Sequence, residues 1–259
     1  MSESLDQVRT DGEQLQAAED RGVPGALAPG EEALRREDVL GALQSLMVVV
    51  VVATFIVTFL VQPFRIPSES MDPTLRVGDF LLMNKQAFAE RGPLDFLMPP
   101  TAIKRGDMMV FHYPLNPEVD FVKRVVGLPG DRLKLHDGKV YVNGKAVDEP
   151  YAYFTLAIPD TFRDDFPVIR SMDQNIDPAW WSALRRNVRE GELYVPAGRY
   201  FVMGDNRNDS EDSRYWGFVT RAAVVGRPML VYFSVGREHD SMTLRERAAR
   251  VFRSARLVK

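Results

Sequence analysis

The sequence of 259 residues contains no cysteine and only three histidines. The lack of cysteine excludes disulfides, thiolate metal sites and a cysteine nucleophile. His112, His136 and His239 do not form a His-Glu-x-x-His motif and are too few for a multi-histidine metal site. The 33 basic and 36 acidic residues nearly cancel, so no overall positive field would attract nucleic acid. We therefore predict no metal, no cofactor and no nucleic-acid partner.

Charged residues are also absent from one long stretch, between Asp38 and Arg65. Residues 43–62, LQSLMVVVVVATFIVTFLVQ, would span roughly 30 Å as a helix, which matches the hydrocarbon core of a bilayer. Strands seldom exceed about ten residues, and a cleaved signal peptide needs a small-residue cleavage site that residues 62–65 do not offer. We predict a retained transmembrane helix over residues 38–63. Its orientation stays open, because arginines flank it on both sides.

The segments on either side of this helix differ in composition. Residues 1–37 are polar with few aromatics, which predicts a disordered tail. Residues 64–236 predict a mainly β domain, with a less regular insertion at 149–195 that decorates the sheet. Residues 237–259 form a basic tail, for which a helix near acidic lipid and a solvated tail are both open.

Short apolar runs between turn residues predict an antiparallel β-sheet fold. Asp137-Gly138 and Asn143-Gly144 are typical two-residue hairpin turns, so residues 132–147 predict a three-stranded meander. Five further strands are predicted, at 79–84, 107–113, 119–126, 199–203 and 228–234.

Two serines, Ser68 and Ser70, follow the apolar stretch in a proline-rich segment. By itself such a Pro-Ser-x-Ser turn is more often a loop or a helix cap than the site of a nucleophile. A serine nucleophile would need a base. No histidine lies in a segment typical of an active site, which leaves a lysine made neutral by burial.

One lysine, Lys123, lies in a predicted strand, VDFVKRVV at 119–126. Strict alternation places it on the face of Phe121 and Val125. Burial there would lower the pKa of its amine. The alternative is that only the aliphatic stem packs while the ammonium reaches water. The pattern alone leaves both open.

Five segments in order resemble bacterial type I signal peptidases, also called leader peptidases. They are IPSESMxPTL at 66–75, GD at 78–79, RGDxxVF at 105–111, DxxKRVxGxPGD at 120–131 and GDNRNDSxDSRYWG at 204–217. The resemblance covers roughly residues 45 to 235. It implies a membrane-anchored serine protease of the signal-peptidase β fold, with one transmembrane helix before the catalytic domain.

The resemblance also implies roles for single residues. Ser70 matches the nucleophile and Lys123 the general base of a Ser/Lys dyad that uses no histidine. The Ser70 backbone amide and the Ser68 hydroxyl match the oxyanion donors. Ser210 matches the serine that hydrogen-bonds and orients the lysine, and Asp212 and Arg214 match a supporting charged pair. Taken by itself the last segment is also explained by a polar loop, and its charged pair by an ordinary surface contact.

The substrate-binding residues are likewise implied by the resemblance. An extended substrate would pair with segments 64–68 and 120–122, the latter beginning at Asp120. Two small apolar pockets would favour alanine-like residues, the A-x-A preference of signal-peptide cleavage sites. Their walls would come from Phe64, Ile66, Pro67, Met71, Leu75, Leu81, Val110 and Val122.

The resemblance implies exported preproteins and the lipid bilayer as partners. It places the chain in the inner membrane, with a single span and the catalytic domain on the periplasmic side. Two alternatives remain open: another Ser/Lys peptidase of the same fold, such as a self-cleaving regulator, and a non-catalytic membrane-tethered β module.

Overall fold

The computed structural model of this chain describes residues 29–89, 92, 95–96, 99–155, 158–168, 173–235 and 256–258. The chain divides into two compact units, Met1–Thr54 and Phe55–Lys259. Most of the predicted tails, up to residue 28 and from residue 237 except 256–258, lie outside the described residues. The disorder of residues 1–28 stays a prediction, whereas residues 29–37, also predicted to be disordered, are helical. For the basic tail, lipid contact and solvation both stay open, and its residues Arg256–Leu257 form a short strand.

The first unit contains most of helix α1, Pro29–Phe55. This helix begins before the predicted anchor boundary at residue 38, because residues 31–38, EEALRRED, are mostly strong helix formers. Residues Val39–Leu60 are long and apolar enough to cross a membrane. This agrees with the predicted span, on length and composition.

The second unit is mainly antiparallel β, which confirms the predicted fold class. It begins with Phe55 and a π-helical turn, Ile56–Leu60, and contains 3-10 turns at Glu69–Met71 and Arg221–Ala223. Its strands are β1 Val61–Arg65, β2 Asp79–Asn84, β3 Met108–Tyr113, β4 Asn116–Gly127, β5 Arg132–His136, β6 Lys139–Val142, β7 Lys145–Ala146, β8 Val188–Arg189, β9 Glu192–Tyr194, β10 Arg199–Met203, β11 Val219–Thr220, β12 Val224–Ser234 and β13 Arg256–Leu257. Its short helices are α2 Thr161–Asp164, α3 Pro178–Asn187 and α4 Ser213–Trp216.

The larger sheet has the order β1-β2-β12-β3-β4-β10-β11, with β13 paired to β12. β1 is therefore a terminal strand of this sheet. β4 pairs with β3 along most of its length, whereas β10 joins its other edge only from Arg124 onward. Among the described residues, the edge of β4 before Arg124 thus has no strand partner on that side.

The smaller sheet has the order β7-β6-β5-β9-β8 and confirms the predicted meander. Asp137 (φ 50°) and Gly138 (φ 74°) join β5 to β6, and Asn143 (φ 51°) and Gly144 (φ 76°) join β6 to β7. These positive φ angles are those that such turns require of Asn, Asp and Gly.

The predicted insertion at 149–195 is part of the core rather than a surface decoration. It supplies β8 and β9 to the smaller sheet, and Phe166, Trp180 and Leu184 to a buried cluster with Phe201. Trp180 Nε1 donates to the Arg214 carbonyl oxygen at 3.0 Å. Its irregular sequence hid this role, because its apolar residues lie on short elements that bury them against distant strands.

Candidate active site

Ser70 lies in the 3-10 turn that follows β1. Backbone bonds hold the approach to this turn: the Ile66 amide donates to Asp79 O at 2.9 Å, and the Gly78 amide donates to Ile66 O at 3.0 Å. The residue is 7% exposed, and it lines a cleft. These backbone hydrogen bonds therefore fix the segment that places Ser70 in the wall of the cleft.

Lys123 is buried in β4, with 3% of its surface exposed. The alternation of the strand places it with Phe121 and Val125, and Nζ lies 5.6 Å from the centre of the Phe121 ring. Nζ and the Ser70 Oγ are hydrogen-bonded at 2.5 Å. Of the two interpretations left open by the sequence, the buried amine is therefore the one found.

The surroundings of Lys123 change its acidity. Burial lowers the pKa of its amine from 10.5 to about 8, against the attraction of Asp212. Arg214 lowers this pKa further, whereas Glu211 and Asp205 raise it. With a pKa of about 8, roughly a tenth of the amine is neutral at pH 7 and half at pH 8, and the neutral amine is able to accept a proton.

The Ser68 hydroxyl lies on the same side of the cleft as the Ser70 side chain. The two Oγ atoms are 3.3 Å apart, and both residues line the cleft. This geometry is compatible with a hydroxyl donor beside a reacting carbonyl. The oxyanion roles of Ser68 and of the Ser70 amide stay predictions.

Ser210 does not make the bond that the resemblance implies. Its Oγ is buried and has no hydrogen-bond partner among the described residues, whereas the Lys123 amine is bonded to Ser70. Gly204 packs against it so closely that an added Cβ would lie 2.3 Å from both the Ser210 Oγ and the Ser70 carbonyl oxygen. Gly204 therefore brings the loop into close contact with the Ser70 backbone, but Ser210 makes no bond to Lys123.

Asp212 and Arg214 form a buried ion pair, so the surface-contact interpretation is wrong. Arg214 Nη2 lies 2.8 Å from Asp212 Oδ2, and the two side chains are 1% and 0% exposed. Asp212 also accepts from the Gly204 amide at 3.1 Å and caps α4. Burial would raise the pKa of Asp212, but the Arg214 charge and hydrogen bonds outweigh it and lower this pKa. The Asp212 carboxylate therefore stays ionised near the Lys123 amine, with the Arg214 cation beside it.

The cleft has a volume of about 1230 Å³, beyond the ~300–1,000 Å³ typical of a small-molecule pocket. Six of the predicted pocket residues line it: Phe64, Ile66, Pro67, Met71, Asp120 and Val122. Leu75, Leu81 and Val110 differ from prediction. They are fully buried in the cluster that also contains Ile66, Met71 and Val122, so they support the lining residues from within the domain.

Arg65 and Phe121 also line the cleft, and both lie in the segments 64–68 and 120–122 that were predicted to pair with the substrate. The lining residues that were not predicted are Glu69, Val77, Gly78, Asp209, Glu211 and Val235. No sequence signal indicated Val235, because the 2.9 Å bond from its amide to Gly78 O joins segments far apart in the sequence.

A buried carboxylate, Asp205, links both halves of the site. Arg124, the neighbour of Lys123, donates to Asp205 through Nε and Nη2, both at 2.7 Å. Thr74 Oγ1 donates to the same carboxylate at 2.6 Å. The Asn206 amide donates to Ser70 O at 3.1 Å. Arg124 and Asp205 both occur in the matching segments, but their sequence separation hid the pairing.

One group of described residues, on the β5–β6 hairpin and after α2, has metal-ligand chemistry. The ligand atoms of His136, Asp137 and Asp165 lie within 4.8 Å of one another. The His136 Nδ1 is already 3.0 Å from Asp165 Oδ1. None of the three lines the cleft. We assign no metal to this group, and the absence of a metal stays a prediction.

Comparison with known proteins covers the apolar helix and most of the second unit. The family model for signal peptidase, peptidase S26, matches residues 39–233. Signal peptidase I of Pseudomonas aeruginosa is 39% identical over 199 residues, which cover 68% of this chain. Signal peptidase I of Pseudomonas fluorescens is 38% identical over 193 residues, also 68% of this chain. The chain spans 66% of the length of each of these relatives.

A third relative gives a longer match at lower identity. Signal peptidase I of Aquifex aeolicus is 34% identical over 220 residues, covering 73% of this chain and 82% of the relative. A crystal structure of a signal peptidase I from Enterococcus faecalis has 31% identity and a TM-score of 0.32, and the match covers 49% of this chain and 97% of the other. By the extent of the family match and the similarity to these relatives, this chain belongs to the signal peptidase family, peptidase S26.

Proposed function

We propose that this protein is a membrane-anchored serine endopeptidase that cleaves N-terminal signal peptides from exported preproteins after small residues. Ser70 is the nucleophile and Lys123 the general base. The observation that carries the proposal is the 2.5 Å contact between the Ser70 Oγ and a lysine amine that is 3% exposed. Family membership supports the reaction class, and the cleft supports an extended substrate.

In the acylation step, the neutral Lys123 amine takes the Ser70 proton as Oγ attacks the carbonyl carbon of the scissile peptide. The negative charge on the carbonyl oxygen is stabilised by the Ser70 amide and the Ser68 hydroxyl. Losing one such donor typically costs on the order of 10²–10³ in rate. Collapse of this intermediate breaks the C–N bond, and the Lys123 ammonium returns its proton to the leaving amine.

In the deacylation step, a water takes the place of the leaving amine. Lys123, neutral again, accepts a proton from this water as its oxygen attacks the ester carbon. The ester bond to Ser70 then breaks, and the proton passes from the ammonium to Oγ. The signal peptide leaves with a new carboxylate, and the free enzyme is restored.

Substrate selection follows from the walls of the cleft. β1 is a terminal strand, and β4 lacks a partner along one edge before Arg124 among the described residues, so an extended peptide has main-chain groups to pair with. Ile66, Met71 and Val122 offer an apolar wall next to Ser70. We propose that this wall accepts alanine-sized side chains, the modest selectivity that size discrimination allows.

The apolar helix completes the proposal. Val39–Leu60 is long and apolar enough to anchor the chain in a membrane. The resemblance to signal peptidases is the reason to propose the cytoplasmic membrane, with the catalytic domain on its outer side. A signal peptide is itself held in the bilayer by its apolar segment. Anchoring the enzyme to the same surface therefore raises the local concentration of the scissile bond.

The proposal is tested with the full-length chain in detergent and a separate preprotein that carries alanine at the first and third positions before the cut. We expect a single cut at that site. Ser70→Ala is expected to lower the rate by on the order of 10³-fold or more, because it removes the nucleophile. Ser182→Ala, at an exposed serine on α3, is the matched control and should cleave normally. Cleavage of the chain by itself alone would favour a self-cleaving peptidase, and no cleavage at all a non-catalytic module.

The pH dependence of cleavage follows from the Lys123 amine. Because its pKa is lowered to about 8 and the base must be neutral, kcat/KM should rise with pH and level off above that value. Below it we expect about a tenfold fall per pH unit. The profile is measured from about pH 6 to pH 10 with the same preprotein. A rate that is level from pH 6 to pH 9 would contradict the role of Lys123.

A further inference from the structure

The segment Glu149–Thr155 lies alongside the loop that follows β10. The Tyr153 amide donates to Asp205 O at 2.7 Å, and the Arg207 amide donates to Tyr153 O at 2.9 Å. Asn208 Nδ2 donates to Thr155 O at 2.7 Å. The two segments are therefore joined by a short parallel bridge and by a side-chain bond beyond it.

A buried ion pair fastens the first residue of this segment to the same loop. Arg207 Nη1 and Nη2 donate to the two Glu149 oxygens at 2.8 and 2.7 Å. The Arg207 and Glu149 side chains are only 2% and 7% exposed. Arg207 Nε also donates to Gly204 O at 3.1 Å. The position of the 204–207 loop thus depends on a carboxylate supplied from residue 149.

The aromatic ring of Tyr151, also in this segment, covers the buried ion pair between Arg124 and Asp205. The Arg124 guanidinium lies 3.9 Å from the centre of the Tyr151 ring. The same guanidinium donates to both Asp205 oxygens and, through Nη1, to Gly106 O at 2.7 Å. Stacking on the ring restricts the guanidinium to the plane in which it binds Asp205.

We propose that Glu149 and Tyr151 are positioning residues for the reaction, acting through the 204–207 loop and Arg124. The inference rests on the proposed function. Asn206 of that loop donates to Ser70 O through its backbone amide at 3.1 Å and to Glu69 O through Nδ2 at 3.3 Å. The loop therefore fixes the position of the Ser70 backbone relative to Lys123. Arg124 adjoins Lys123 in β4. Glu149 binds Arg207, whose neighbour Asn206 is bonded to Ser70. Tyr151 stacks on Arg124, whose neighbour is Lys123.

The expected effect falls on the chemical step. A misplacement of about 1 Å at reacting atoms costs on the order of 100-fold in rate. The apolar wall for the substrate is formed by Ile66, Met71 and Val122, which pack in a cluster that contains neither Glu149 nor Tyr151. Substitution of Glu149 or Tyr151 should therefore leave the packing of this wall unchanged. Loss of either positioning residue should therefore lower kcat and leave KM nearly unchanged.

The experiment uses the full-length chain and the same preprotein, and measures kcat and KM. Glu149→Gln is expected to lower kcat by about 10–100-fold with KM within about threefold. Asp148→Asn removes the same charge from the exposed neighbouring residue and should leave both constants unchanged. Tyr151→Ala should lower kcat by about tenfold. Tyr151→Phe keeps the ring over Arg124 and loses only the 3.3 Å bond from the Tyr151 hydroxyl to Glu149 Oε1, so it should restore most of kcat. Urea unfolding midpoints give the folded fraction of each variant.

The outcomes separate the inference from the proposed function. A wild-type chain that cleaves, together with Glu149→Gln and Tyr151→Ala variants of normal kcat, overturns the inference and leaves the function standing. A loss that matches the unfolded fraction overturns it too, since the role is then only structural. A wild-type chain that leaves every preprotein intact overturns both. If Glu149→Gln does not fold, the two Tyr151 variants decide.

Discussion

Lys123→Met is expected to lower preprotein cleavage by on the order of 10³-fold while the chain stays folded. Methionine keeps the unbranched apolar stem but removes the amine that contacts the Ser70 Oγ. Removing a general base typically costs about 10²–10⁴ in rate. The measurement is kcat/KM at a pH above 8, where the wild-type amine is largely neutral.

The same variant should be at least as stable as the wild type at neutral pH. A fall of the amine pKa from 10.5 to about 8 corresponds to a cost of about 3 kcal/mol for folding with this group below pH 8. The cost shrinks as pH rises from 8 to 10.5, because the unfolded chain binds more protons in that window. Between pH 8 and pH 10.5 the free energy of unfolding should therefore rise more in the wild type than in Lys123→Met.

Lys139→Met is the matched control, because Lys139 is an exposed lysine on β6. It should cleave normally and show the same pH dependence of stability as the wild type. A folded Lys123→Met variant that still cleaves at the wild-type rate would remove Lys123 from the mechanism.

Arg214→Met is expected to lower the free energy of unfolding by about 3–5 kcal/mol. The substitution leaves the Asp212 carboxylate, 0% exposed, without the cation 2.8 Å away. Breaking a buried pair from one side costs this much because the remaining charge is uncompensated. Arg214 Nη2 also donates to Arg207 O at 2.8 Å, so the 204–207 loop loses a further bond. The measurement is the urea unfolding of the full-length chain.

Arg76→Met provides the comparison, since Arg76 pairs with Asp72 at 3.9 Å and its side chain is 59% exposed. Exposed pairs contribute about 0–1 kcal/mol. Adding Asp212→Asn to Arg214→Met should recover part of the lost stability, because it removes the stranded charge. If Arg214→Met and Arg76→Met lowered the free energy of unfolding by equally small amounts, the buried ion pair of Asp212 and Arg214 would be refuted.

The strands and turns were well predicted because their causes are local. β2 and β10 have the predicted bounds, 79–84 and 199–203, since each is a short apolar run between turn residues. The two hairpin turns of the meander depend on the backbone preferences of their own two residues. The insertion was misjudged because Trp180 and Leu184 lie on a short helix whose burial depends on Phe201 and other distant residues.

The site was only half predictable. Ser70 and Lys123 were identified from the motifs that the chain shares with its family, and alternation placed Lys123 on an apolar strand face. Alternation does not decide whether a lysine amine on that face reaches water. The predicted Ser210 bond was absent, because the motif names a residue but not the rotamer or the contact that its loop adopts.

The sequence by itself determined the apolar helix, the antiparallel strands and the hairpin turns. These depend on spacing, composition and backbone preference within a few residues. Only the tertiary structure decided that the Lys123 amine is desolvated, that Asp212 and Arg214 are buried, and that Glu149 reaches Arg207. Burial and charge pairing join residues 50 or more positions apart in most of these cases, and they are decided by how the sheets pack.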